Sequence, residues 1–91
     1  MLVMIMERVP ASFRGELTQW LIEPKAGLFV GKVSKLVREK LWTKAVKGSK
    51  GGSVVQIWDS NNEQGFKCKV HGEPTRMLVN MDGLMLVKVL N

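Results

Sequence analysis

Cysteine, histidine and tyrosine are almost missing from this chain: one, one and none in 91 residues. A lone cysteine excludes an intrachain disulfide framework and any thiolate zinc cluster, and it fits a reducing cytoplasm. The lone histidine, His71, has no second histidine or paired cysteine near it, which disfavours a metal or triad role, and no Ser/His/Asp or Cys/His arrangement stands out. Three prolines, 45% hydrophobic and 24% charged residues exclude wholesale disorder. No apolar run is long enough to cross a bilayer. The longest near the N-terminus, residues 1–6, also lacks the basic flank of a signal peptide. A soluble, cytoplasmic protein with no membrane partner is expected. The length allows one domain, residues 1–91, and at this size a partner chain would help to complete the core.

Acidic residues are few too, eight against fourteen basic ones, for a net charge of +6. The excess is local. Lys25, Lys32, Lys35, Arg38, Lys40, Lys44, Lys47 and Lys50 face a single acid, Glu39, so this window carries +7 and the remainder −1. Such a cluster suits a phosphate backbone or another acidic partner; a solvated lysine face that keeps the chain soluble is the plainer alternative.

Hydrophobic periodicity supplies the elements. Residues 1–6 read as a central strand, apolar on both faces. After Val9-Pro10, Ser12 can cap a helix over about 12–22, with Phe13, Leu17, Trp20 and Leu21 on one stripe and Glu16 in its first turn. Pro24 bars continuation. Residues 26–33, with Gly27 and Gly31, form one bent strand or a cramped hairpin. Ser34 can cap a second helix that ends near Lys47, with Val37, Leu41, Trp42, Ala45 and Val46 on one arc and Lys40, Lys44 and Lys47 on a basic ridge. The Gly-rich 48–53 stretch lacks the spacing of a phosphate-binding loop and reads as a flexible link. Residues 53–58 and 65–71 form a hairpin whose second strand alternates Phe66, Cys68 and Val70 with Lys67, Lys69 and His71. A last strand is expected over 84–90, after the Asp82-Gly83 turn.

The order β-α-β-α-β-β-β with two amphipathic helices predicts a ferredoxin-like α+β sandwich. Two helices cover one face of an antiparallel sheet. The first strand is apolar on both, so a homodimer packed sheet to sheet is expected. Cys68 is expected as an inert core thiol and Trp20, Trp42 and Trp58 as packing residues rather than base-stacking platforms. For chemistry, carboxylates remain: Glu7, directly after the first strand, could meet its symmetry mate and bind Mg²⁺, or simply pair with Arg8. An RNA-binding domain of the RRM type is disfavoured, because the strands carry no exposed aromatics.

Residues 1–41 resemble the start of the subtype I-E branch of CRISPR-associated protein two. The resemblance runs through Glu7-Arg8-Val9-Pro10, Arg14-Gly15, Trp20-Leu21, Ala26-Gly27-Leu28-Phe29-Val30-Gly31, Val33-Ser34 and Arg38-Glu39. It continues through Val54-Val55, Trp58, Asn61 to Glu63, Gly65-Phe66, Gly72, Arg76 and Asp82-Gly83-Leu84. What it implies is a homodimer that bridges dimers of the integrase, CRISPR-associated protein one, and holds foreign double-stranded DNA for insertion as a new spacer in antiviral defence. Arg14 and Arg76 match family arginines that touch the DNA backbone, and Arg38 lies where a basic DNA-facing residue is common. The segment 78–90, through Leu84, Leu86, Val87 and Val89, would dock on the integrase. The wider family ends its first strand with a metal-binding aspartate, where this chain has Glu7. The alternative implied is therefore a magnesium-dependent endonuclease, acting on RNA or DNA as a homodimer, with Glu7 as catalytic and metal-binding residue and Glu63 as a second candidate carboxylate. Relatives often carry two bases where this chain has Ser12 with Arg14 and Thr75 with Arg76. Lys32, Lys35, Lys44 and Lys47 can compensate, with Lys40 on the same ridge, since phosphate contacts are largely interchangeable.

Overall fold

A computed structural model of the chain describes residues 1–72. Within them lie seven elements: β1 (Leu2–Met6), α1 (Ala11–Leu17), β2 (Ile22–Lys25), β3 (Leu28–Gly31), α2 (Lys35–Gly48), β4 (Val54–Asp59) and β5 (Phe66–His71). The strands form one antiparallel sheet in the order β2-β3-β1-β4-β5, so β1 is central as its two-sided apolar pattern requires. The two helices pack on this sheet as in a ferredoxin-like α+β fold.

The order of elements differs from the sequence expectation at one place. Residues 22–25 are a strand, not the end of a helix and its exit. Helix α1 begins at Ala11 behind Pro10, with Ser12 inside it and no side-chain cap, and it stops at Leu17. Thr18 Oγ1 donates to the carbonyls of Arg14 and Gly15 at 3.0 Å each, and tight turns at Trp20 and Leu21 follow. Such back-bonding competes with helix propagation, and strand pairing of Ile22 with Val30 takes over. Glu16 thus lies in the last turn of α1, not the first, and Trp20 is 47% exposed rather than packed. Pro24 is tolerated because β2 is an edge strand.

The 26–33 region resolves into the hairpin turn and β3. Gly27 forms the turn at φ +82°, and its carbonyl accepts from the N–H of Met6 at 2.9 Å. A Cβ there would stand 2.5 Å from the Met6 carbonyl oxygen, so only glycine fits. Helix α2 follows expectation: the Ser34 hydroxyl accepts from Val37 N–H at 3.2 Å.

The core lies between helices and sheet. Leu2, Met4 and Met6 from β1, with Phe29 and Val54 beside them, meet Phe13 and Leu17 of α1 and Leu41 and Ala45 of α2. Buried Gln56 donates from Nε2 to the Arg38 carbonyl at 3.0 Å, tying β4 to α2. Register places Val3, Ile5, Val55, Ile57, Cys68 and Val70 together on the opposite face, outside the helix-side core. The apolar side of β5 therefore belongs to this second face. Cys68 is half-buried there rather than a helix-side core thiol, and partial burial raises its pKa.

Candidate nucleic-acid interface

All the described basic candidates come from the helical layer or the segment entering it. Lys32 precedes α2, and Lys35, Arg38, Lys40, Lys44 and Lys47 lie along it, with Arg14 on α1. Lys32, Lys35, Lys40 and Lys47 are exposed, and Lys47 in the last turn also suits the helix dipole. Two of the set are already engaged. The Lys44 ammonium pairs with Glu16 of α1, which turns the Lys40–Lys44–Lys47 arc toward α1. Arg14 Nε donates to both carboxylate oxygens of Glu23, at 3.1 and 3.2 Å, and Glu23 Oε2 also accepts from Gly27 N–H at 3.0 Å. Arg14 thereby braces the β2–β3 turn, with 43% of its side chain still exposed.

Arg38 faces the other flank of α2. Its guanidinium sits 4.2 Å above the Trp58 ring, and Lys69 Nζ lies 5.6 Å from the Trp42 ring centre. Trp42 and Trp58 are half-buried against the core, in line with the packing role expected of them. The Lys69–Trp42 contact was not foreseen from sequence. The alternation of β5 signals a basic side, but which side of the sheet it occupies depends on strand order and register.

Glu7 occupies the end of β1, where its carboxylate closes a loop. Oε1 accepts from Ser53 N–H at 2.9 Å and from Ser53 Oγ–H at 2.7 Å, while the Glu7 N–H donates to the Ser53 carbonyl at 3.2 Å. Arg8 does not form the expected pair with it; its guanidinium donates instead to the Lys50 carbonyl at 3.1 Å. The glycine-rich link is consequently a tight turn, with Lys50 and Gly51 at positive φ and Gly52 N–H bonded to Ser49 O at 2.8 Å. For magnesium, one carboxylate with an oxygen already accepting two hydrogen bonds is a poor donor set among the described residues. No cluster of three His, Cys, Asp or Glu exists among the described residues. Glu63 lies in the β4–β5 connection, distant in register from the Glu7 end of β1. Arg76 and the docking residues Leu84, Leu86, Val87 and Val89 fall outside the described residues, as does the 84–90 strand.

Residues 1–86 match the family model described as CRISPR-associated protein (Cas_Cas2CT1978). The chain belongs to this family of CRISPR-associated proteins. The match spans the described ferredoxin-like unit and continues to residue 86, so it does not rest on one motif. No helix among the described residues is long and apolar enough to cross a membrane.

Proposed function

We propose that this CRISPR-associated protein is the structural, DNA-holding subunit of a spacer-integration complex of the I-E type, acting as a homodimer that bridges integrase dimers. The observation that carries the proposal is the division of its two faces. Cationic side chains project from the helical layer, whereas Val3, Ile5, Ile57 and Cys68 line the reverse of the sheet. A polyanion suits the first surface and a second copy of the chain suits the second. The C-terminal segment would engage the integrase through its apolar residues.

DNA binding of this kind reads phosphate and not base sequence, so its affinity falls steeply with salt. The test is duplex binding across a salt series by Arg14→Ala and Arg76→Ala. Each variant should make the log–log slope shallower by about 0.9 per lost contact. Unchanged affinity and slope in both would refute these contacts. The magnesium-dependent endonuclease, as the competing function, requires Glu7 carboxylates from two chains to share one ion, and Glu7→Gln separates the two functions.

A further inference from the structure

We infer a second nucleic-acid contact strip on the β5 side of the described sheet, formed by Lys67 and Lys69 of β5 beside Arg38 of α2. It rests on the nucleic-acid-binding role above and extends it from Arg38 to Lys67 and Lys69, which that role does not use. Strand register places Lys67 opposite Trp58 and Lys69 opposite Gln56, on the helix side of the sheet. Both lysines are exposed, and β5 is the last strand of the described sheet.

Three features support this strip, and the second is peculiar to it. First, its cations have no acidic partner among the described residues, a state shared with Lys32, Lys35, Lys40 and Lys47 but not with Arg14 or Lys44, which carboxylates match. Secondly, Arg38 and Lys69 rest over the Trp58 and Trp42 rings. An aromatic ring fixes where a cation sits without neutralising it, so the ordering cost of gripping a phosphate is partly met in advance. Thirdly, the strip lies on the side of the sheet away from Val55, Ile57, Cys68 and Val70. Packing two sheets through that apolar face leaves it open. Lys67 and Lys69 stand two residues apart on one side of a strand, about 6.7 Å, which sets two cations in line along β5. The fitting ligand is therefore a phosphodiester backbone that runs along β5 past the flank of α2.

The test uses the full chain and a mixed-sequence DNA duplex, with binding followed by fluorescence anisotropy from low to moderate salt. Lys67→Gln and Lys69→Gln should each make the log–log slope shallower by about 0.9, and the double variant by about 1.8. Lys67→Arg and Lys69→Arg should keep the wild-type slope, because charge and reach are retained. Gln19→Glu, in the exposed turn after α1, lowers the net charge by the same one unit and should leave the slope unchanged. Wild-type slopes in both glutamine variants, beside a shallower slope in Arg14→Ala, would overturn the strip while leaving the proposed function standing. A slope in Gln19→Glu as shallow as in the β5 variants would overturn it too, as an effect of net charge alone. Absence of duplex binding by the wild type would overturn both.

Discussion

Replacing Glu7 by alanine should unlatch the turn that carries the chain from α2 into β4. The carboxylate oxygen Oε1 holds two donors of Ser53, the backbone N–H at 2.9 Å and the hydroxyl at 2.7 Å. A hydrogen bond to a charged acceptor contributes about 1.5–3 kcal/mol when well sequestered. Glu7 is exposed while Ser53 is buried, so solvent screening reduces each bond to about 1 kcal/mol. Glu7→Ala should then cost about 2 kcal/mol, which for a domain of this size lowers Tm by roughly 8–16 °C. Ser53→Ala keeps the backbone bond and should cost about half as much. Glu7→Gln keeps an acceptor oxygen in place and should cost under about 1 kcal/mol. The assay is thermal unfolding of the single and double variants at one fixed protein concentration, since the proposed dimerisation would make Tm depend on concentration. A coupling energy near 1 kcal/mol between positions 7 and 53 is expected. Glu7→Ala with a wild-type Tm, or zero coupling, would show that the latch contributes nothing.

Gly27→Ala should be more damaging, about 3 kcal/mol or more, because positive φ is strained for alanine and its Cβ would meet the Met6 carbonyl; denaturant unfolding would measure it, and a loss under 1 kcal/mol would contradict the turn geometry. Cys68 should react slowly with thiol reagents at pH 8, because burial raises its pKa and keeps the thiol protonated. Stability linked to this group is complete below the unfolded thiol pKa and declines above it, since the unfolded chain releases its proton first; unfolding curves from pH 7 to pH 10 would show this. Sheet-to-sheet dimerisation should shield the same thiol further, so labelling that does not slow as protein concentration rises would count against it.

The fold was legible wherever one residue pattern had one structural solution. Two-sided apolarity in residues 1–6 permits only a central strand, and β1 lies third of five. Ser34 and the apolar arc from Val37 to Val46 define α2 almost to the residue. The end of α1 was not legible, because Trp20 and Leu21 continue the helical stripe in sequence although the chain has already turned at Thr18. Leu21 is buried either way, so burial alone could not separate helix from hairpin. The basic character of the candidate site is written in composition, but its free charge is not. Glu16 and Glu23 lie far in sequence from the charge window or on its border, yet folding pairs them with Lys44 and Arg14. The Lys69–Trp42 contact depends on which edge β5 occupies, and strand alternation says only that two sides differ.

Spacer integration by the complete complex, with wild-type protein compared with Glu7→Gln and the integrase held constant, tests the central claim most directly. Glutamine preserves the acceptor for Ser53 but removes the charge that attracts a metal ion. Thermal unfolding of the same preparation confirms that the latch is intact. If the protein holds DNA while the integrase performs the chemistry, integration should stay within about twofold of wild type. Collapse by orders of magnitude in a folded, dimeric Glu7→Gln protein would contradict the account and assign Glu7 to a required cleavage step.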